Sequence, residues 1–468
     1  MIYKDVKDLL ENIRGAFSLS HGVLAVEDKI KAKKCIDDLV YNLCLNDQPA
    51  IKGSCAWIIW EGAQELGAYP SSIQGLYEAK GAAKYSKVTV PAVNIRGLTY
   101  DVARALIRSA MNLSSLTLVF EIAKSEMQYT FQRPQEYSAL CLAAAIKEGF
   151  TGPLFIQGDH FQLKEKSYRS DPEKEIAGLK KLIAEAIEAG FYNIDIDSST
   201  LVDLTKPTID EQQWHNYDVA AKLSAYIRQI EPAGVAVSIG GEIGEVGGKN
   251  TTVEEFRAFM EGYKKQLALY GAPAAGRQLK GISKISIQTG TAHGGVVLPD
   301  GSIAQANVDF AALEAISGIA RQEYGLSGTV QHGASTLPDA AFHHFPETET
   351  AEVHLATEFQ NMIYESEQLP EVLREQIYSW LRQNCADERK EGLSEEQFIY
   401  KTRKKGFGPF KKELMELPQE TRDKIRSALE KKFSLLFEKL NATATAALVK
   451  RYVKPVRIHK PCPEVLVS

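Results

Sequence analysis

The prediction of the fold class starts from the sequence LFIQGDH at residues 154–160. Its apolar residues are typical of a buried parallel strand, which is a continuous apolar run. The run ends at Gly158, and an acid and a histidine, Asp159 and His160, follow at once. Because chemistry in α/β proteins lies at the carboxyl ends of the strands, this stretch predicts a metal ligand beside a proton-transfer group. Taken alone, it also fits a strand that ends in two polar loop residues.

Short apolar runs recur after residue 86, and longer amphipathic segments separate them. Eight runs are predicted to be strands, at residues 88–94, 115–120, 153–157, 192–197, 235–239, 284–288, 328–331 and 351–355. Predicted helices follow them, at residues 100–111, 134–148, 173–189, 219–230, 253–270, 310–324 and 338–345. Eight strand-then-helix units favour an α/β fold, the TIM (β/α)8 barrel. An open doubly wound sheet is the alternative, but no Gly-x-Gly-x-x-Gly follows the first strand.

Helical patterns flank this core, so we expect three parts: an N-terminal helical extension (1–85), the barrel (86–364) and a C-terminal helical extension (365–468). In the first part the pattern predicts helices over residues 23–45 and 56–66, and a turn at 70–72. The last part contains the basic run RKKGFGPFKK at residues 403–412. Such a run is usually a solvated loop, and the alternative is a lid that binds an anion.

The composition excludes several classes of protein. The chain has 468 residues, of which 25% are charged and 44% hydrophobic, and its net charge is −5. This balance gives no reason to expect nucleic acid or a membrane as a partner. The N-terminal residues are too charged for a secretory signal, and no apolar run approaches the roughly 18 residues of a membrane span. The six cysteines are scattered without a Cys-x-x-Cys motif, which favours reduced thiols in a cytoplasmic protein.

Three histidines follow predicted strands of the barrel. His160 follows the third strand, His293 the sixth and His332 the seventh. Because the strand ends of a closed barrel converge on one face, these imidazoles are expected to meet. Three histidines with an open position are typical of a catalytic Zn²⁺ site. His343 and His344 are competitors, but they lie beyond the strand end, and we favour a structural role for them.

Glycines accompany two of these histidines, in His293-Gly294-Gly295 and in His332-Gly333-Ala334-Ser335. Successive backbone N–H groups can form an anion nest, and phosphate sites of barrels favour the loops after the last strands. Gly294, Gly333, Ser335 and Thr357 are therefore candidates for phosphate binding. Tight turns that need a positive φ are the alternative explanation for the glycines.

Together these motifs resemble those of the class II, metal-dependent fructose-bisphosphate and tagatose-bisphosphate aldolases, over residues 88–362. Asp159-His160 matches the pair in which the aspartate transfers a proton and the histidine binds zinc. His293 and His332 match the other two histidine ligands. Glu242 falls where the family has a glutamate near the metal, and residues 197–199 match its fourth-strand motif.

The resemblance implies a zinc-dependent aldolase, with one Zn²⁺ or another divalent metal in each active site. Such an enzyme cleaves or forms a carbon–carbon bond in a ketose (bis)phosphate through a metal-stabilised enediolate. The products are a ketone like dihydroxyacetone phosphate and an aldehyde. Asp159 would be the general base, and Glu242 a catalytic residue and an outer or alternate metal ligand. The partner would be a small sugar phosphate, and family members are usually homo-oligomers, either dimers or tetramers.

The chain also departs from the family pattern, so we expect a divergent member. Lys249 and Asn250 follow the Gly-Gly pair, where the family often has acids on a mobile loop. His354 and Ala356 replace an asparagine and an aspartate that normally contact substrate, and Thr357 is kept. We assign His354 and Thr357 to substrate binding. A metal-dependent sugar (phosphate) epimerase or isomerase is the alternative function, and a non-catalytic subunit is a further one.

Overall fold

The computed structural model describes residues 2–244, 248–271, 279–291, 298 and 307–467. The N-terminal part is helical, as predicted, but it also contains three strands. The helices are α1 (Val6–Ile13), α2 (Lys29–Leu45), α3 (Pro49–Glu65) and α4 (Gln74–Gly81). The strands are β1 (Phe17–Ser20), β2 (Val23–Val26) and β3 (Ala68–Ser71).

The predicted helix over residues 23–45 is wrong at its start, where β1 and β2 form an antiparallel hairpin. His21 and Gly22 connect these strands with φ angles of +50° and +74°. Positive φ at both turn residues matches the twist of a two-residue hairpin. The predicted turn at residues 70–72 is also wrong, because Pro70 and Ser71 belong to β3, which pairs with the barrel. Proline is tolerated there because β3 is an edge strand.

Eight parallel strands form the barrel, which confirms the predicted fold class. They are β4 (Val90–Asn94), β5 (Val119–Ala123), β6 (Gly152–Gln162), β7 (Asn193–Asp197), β8 (Ser238–Gly244), β9 (Lys284–Ile287), β10 (Thr329–Gln331) and β11 (Glu352–Leu355). Neighbours in sequence pair in order, and β11 pairs with β4 to close the barrel. Since all eight strands are parallel, their carboxyl ends lie on one face.

The helices around the barrel follow the predicted order. They are α5 (Thr99–Asn112), α6 (Lys124–Tyr129), α7 (Pro134–Glu148), α8 (Glu165–Ser170), α9 (Pro172–Glu188), α10 (Ile209–Ile230), α11 (Val253–Gly271), α12 (Phe310–Tyr324), α13 (His344–Glu347) and α14 (Thr357–Tyr364). The second strand was predicted at residues 115–120, but β5 begins only at Val119. The preceding backbone instead bonds the C-terminal extension: the N–H groups of Leu116 and Thr117 donate to Oγ1 of Thr445, at 3.2 and 3.3 Å.

The C-terminal part is helical, as predicted, and packs against the barrel. Its helices are α15 (Glu371–Asn384), α16 (Glu395–Thr402), α17 (Lys411–Met415), α18 (Gln419–Lys439) and α19 (Ala446–Tyr452). Buried side chains of both extensions, such as Trp60 and Phe433, belong to the same hydrophobic core as the barrel strands. Within the described parts of the chain, every helix is too short or too polar to traverse a lipid bilayer. The domain boundaries and the oligomeric state given above stay predictions.

Candidate metal centre and active site

A bulge in β6 positions Asp159 and His160. The pairing of β6 with β7 shifts between Gly158 and Phe161, and His160 has a φ of +40°. The Phe161 ring leaves no room for a Cβ on Gly158, so the close approach requires glycine. Asp159 and His160 were predicted to lie beyond the end of the strand, but β6 continues to Gln162. Bulges are enriched beside active sites because they redirect side chains, and the left-handed histidine is a strained position.

His160, Glu242 and His332 form the first group that could hold a metal. Nδ1 of His160 lies 3.1 Å from Oε2 of Glu242, and Nδ1 of His332 lies 3.8 Å from Oε1 of Glu242. The ring centroids of the two histidines are 4.3 Å apart. One donor atom from each residue lies within 4.8 Å of the others. Two imidazoles and a carboxylate form a donor set of catalytic zinc sites, so these residues fit a divalent cation.

The other predicted ligand, His293, lies outside the described residues, and so does Gly294 of the predicted anion nest. Their roles stay predictions. Glu242 was predicted after the fifth strand, but it lies within β8, which extends to Gly244. His343 and His344 lie apart from the barrel cluster: His343 bonds the carbonyl of Ala340, and His344 contacts Glu347.

Asp197 at the end of β7 holds His160 in position. Its Oδ2 lies 3.0 Å from Nδ1 of His160, and its Oδ1 accepts a hydrogen bond from the Ser199 hydroxyl at 2.7 Å. Burial alone would raise the pKa of Asp197, but the hydrogen bond with His160 lowers it below the ordinary value. A carboxylate of this kind fixes the orientation and tautomer of a ligating histidine.

Negative charge is concentrated around the imidazoles of His160 and His332. Burial, and then the charge of Asp197, raise the pKa of Glu242 to about 7. Burial opposes protonation of His160, yet the carboxylates of Asp159 and Glu242 raise its pKa well above the ordinary value. Buried carboxylates that need a counter-charge are suited to a cation, which agrees with the donor set.

Replacing Asp197 by asparagine is expected to weaken metal binding by about 10–100-fold, because outer partners of metal ligands typically contribute that much. Asparagine keeps the shape but carries no charge to stabilise the His160 N–H. Competition with a fluorescent chelator would measure the affinity. Asp203→Asn is the matched control, because among the described residues the Asp203 side chain accepts hydrogen bonds only from Thr205 in its own turn. Equal affinities for both variants would contradict the positioning role.

His354 belongs to a second, deeper group inside the barrel. Its Nδ1 lies 3.1 Å from Oδ1 of Asp159 and 3.2 Å from Oε2 of Glu121, and its Nε2 lies 2.6 Å from Oε1 of Glu352. Burial opposes protonation, but Glu121 and Asp159 raise the pKa of His354 well above the ordinary value. Asp159, His332 and His354 also offer donor atoms within 4.8 Å of one another. His332 is therefore common to both groups.

Two charged residues of this deeper group, Lys284 and Glu121, were not predicted from the sequence. Lys284 on β9 donates to Asp195 at 2.9 Å and also contacts Glu352. Glu121 lies on β5, one residue past the predicted strand end. The available signal was a lone charged residue inside an apolar strand, as in LVFEIA at residues 118–123 and SKISI at 283–287. Such residues are almost never buried unless they are paired.

A cavity of about 410 Å³ opens at the carboxyl end of the barrel. Its size falls within the range of small-molecule sites. Most predicted site residues line it, namely Asp159, His160, His332, Gly333, Ser335, His354 and Thr357. Three cations that were not predicted line it too, Arg96, Lys124 and Lys164, together with Lys404 of the basic run. The Ser335 hydroxyl accepts the N–H of Ala356 at 2.7 Å, which joins the turn after β10 to the end of β11.

Comparison with known proteins gives one family match. A model of the family described as "Fructose-bisphosphate aldolase class-II" matches residues 76–435. No curated protein matches the sequence.

Solved structures give more distant matches. A probable tagatose 6 phosphate kinase from Sinorhizobium meliloti 1021 is 16% identical with a TM-score of 0.53, and the match covers 81% of this chain and 96% of that one. A fructuronate-tagaturonate epimerase from Cohnella laeviribosi is 12% identical with a TM-score of 0.53, and the match covers 91% and 93%. At these identities the likeness shows the fold alone.

Proposed function

Because the chain belongs to the class-II fructose-bisphosphate aldolase family, we propose that it is a divalent-metal-dependent aldolase of ketose phosphates. It would cleave or form a carbon–carbon bond, giving a ketone like dihydroxyacetone phosphate and an aldehyde. The observation that carries the proposal is the grouping of Asp159 with the donor set His160, Glu242 and His332 at the carboxyl end of the barrel. A cavity of about 410 Å³ lies beside them.

The donor set supports Zn²⁺ as the metal, one in each site, although other divalent cations accept the same ligands. When bound, the cation would supply a Lewis acid for the carbonyl oxygen and for the adjacent hydroxyl oxygen of the sugar. His160 and His332 must be neutral to act as ligands. Asp197 would keep Nδ1 of His160 oriented through their 3.0 Å contact.

Asp159 would move the proton of the hydroxyl group at the bond that breaks. A general base must be ionised and must reach the cavity, and Asp159 lines it. Burial alone would raise the pKa of Asp159, but the imidazoles of His160 and His354 hold it well below the usual range. The 3.1 Å contact with His354 limits the rotation of the carboxylate. Gly333, Ser335 and Thr357, which line the same cavity, would hold a phosphate.

A sugar epimerase is the second candidate. The match to the fructuronate-tagaturonate epimerase covers 91% of this chain, so it includes most of the helical extensions. His354 and Ala356 stand where aldolases have an asparagine and an aspartate. A pocket changed in this way can retain the metal chemistry and act on a sugar acid. An epimerase would need the same metal-binding residues as the aldolase and would differ from it only in substrate and product.

A product assay tests the proposal. The zinc-loaded protein is given a panel of ketose bisphosphates, ketose monophosphates and hexuronates, and products are separated by chromatography. We expect a triose phosphate to form from a phosphorylated ketose and to vanish after chelation. An epimer that accumulates without any triose would favour the second candidate. Stoichiometric metal with no turnover on any sugar would contradict both.

A further inference from the structure

The C-terminal basic segment (residues 403–412) closes over the carboxyl end of the barrel and is not the solvated loop that such runs usually form. Arg403, Gly406 and Phe407 are buried. Phe407 packs against Gly97, the turn after β4, so closely that a Cβ there would collide with its ring. Gly408 meets the carbonyl of Tyr129 in the same way. These close approaches place the segment directly beside the cavity.

Most cations of the segment already have acidic partners. Arg403 donates to Asn361 and, at 2.7 Å, to Glu365. Lys405 contacts Glu388, and Lys411 lies 2.6 Å from Glu136. These pairs anchor the segment on the barrel and on its own neighbouring helices.

Lys404 differs from its neighbours. It lines the cavity, with its ammonium 5.9 Å from the centroid of the Tyr129 ring. Among the residues that the structure describes, no carboxylate lies within ion-pair distance of Lys404, whereas Arg403 and Lys405 on either side are both paired. A half-buried ammonium without a counter-ion is costly unless a ligand supplies one.

A second cation, Arg96, lines the same cavity. It follows β4, and its guanidinium donates to Glu126 at 2.7 Å and to Gln360 at 2.9 Å, which fixes its position. Burial, and then the charge of Arg96, lower the pKa of Lys404, while Glu126 only partly opposes them. The lowered pKa agrees with an excess of positive charge at this wall of the cavity.

We propose that Lys404 and Arg96 form an anion subsite of the candidate active site, which binds an oxyanion group of the sugar substrate. This inference rests on the proposed function for the identity of the ligand as a sugar. The oxyanion is a phosphate or a carboxylate, since both accept charge-assisted hydrogen bonds from ammonium and guanidinium groups. Gly333, Ser335 and Thr357, the candidate phosphate site, line the same cavity. We propose that the subsite selects substrates that carry an anionic group besides any phosphate bound by those three residues.

Binding of small anions tests the subsite without requiring turnover. Calorimetry with inorganic phosphate and with glucuronate would compare the wild type, Lys404→Ala, Lys404→Arg and the control Lys405→Ala. We expect Lys404→Ala to weaken the binding of one anion by about 10-fold or more, the effect of a hydrogen bond to a charged group. Lys404→Arg should retain binding, and Lys405→Ala should match the wild type. The anion that responds identifies the group as phosphate or carboxylate.

Equal affinities for Lys404→Ala and the wild type would overturn the subsite, as would a wild type that binds neither anion. The control variant separates a local effect from general loss of positive charge, because equal losses in Lys404→Ala and Lys405→Ala would also overturn it. In the product assay, Lys404→Ala should raise KM with little change in kcat. A protein that binds phosphate through Lys404 yet turns over no sugar would contradict the proposed function and leave the subsite standing.

Discussion

Replacing His332 by alanine is expected to abolish metal binding and to reduce turnover strongly. His332 is the residue shared by the two groups of donors, one with His160 and Glu242 and the other with Asp159 and His354. Its loss therefore breaks either arrangement. A Lewis acid supplies several kcal/mol, and each 1.36 kcal/mol is tenfold in rate, so kcat should fall by about 10³-fold or more. Metal analysis by mass spectrometry and steady-state kinetics would measure the two losses.

His215→Ala is the control for this experiment. His215 is exposed, and its ring contacts Tyr168 far from the barrel interior. This variant should keep full metal content and full activity. A folded His332→Ala protein with unchanged metal and unchanged kcat would contradict the metal centre. The same measurement on His293→Ala tests the predicted ligand that lies outside the described residues.

Asp159→Asn is expected to reduce kcat by about 10²–10⁴-fold, the usual contribution of a positioned general base. The amide keeps the size of the side chain and a contact with His354, but it cannot accept the substrate proton. Because Asp159 is not in the group of His160, Glu242 and His332, we expect the metal content to stay at the wild-type level.

The metal content of Asp159→Asn also distinguishes the two donor groups. Loss of metal would indicate that Asp159, His332 and His354 hold the cation, and it would overturn the assignment to His160 and Glu242. Unchanged kcat with unchanged metal would contradict the role of Asp159 in proton transfer.

Local patterns predicted most of the fold. The helices over residues 134–148 and 310–324 have the predicted bounds, because the spacing of apolar residues along a helix is a property of the segment itself. The barrel followed from the alternation of strands and helices. The predicted bounds of a strand were wrong where a distant segment of the chain forms hydrogen bonds with its backbone. Thr445 bonds the N–H groups of residues 116 and 117 and so delays the start of β5.

Part of the candidate site could also be predicted. Asp159, His160 and His332 lie in short motifs at strand ends, and closure of the barrel brings them together because parallel strands end on one face. Glu121 and Lys284 were missed, since their importance depends on neighbours across the barrel. Burial of a charge has no sequence signature beyond its apolar surroundings.

The sequence by itself determined the barrel, the order of its elements and the identity of the main donor residues, because each depends on periodicity or on a motif within a few positions. Tertiary structure alone decided which donors share a group, that a bulge turns Asp159 and His160 towards different partners, and that Lys404 lies in the cavity. Lys404 and Arg96 are more than 300 residues apart in the chain. Their proximity results from the packing of Phe407 against Gly97, a contact that no local pattern encodes.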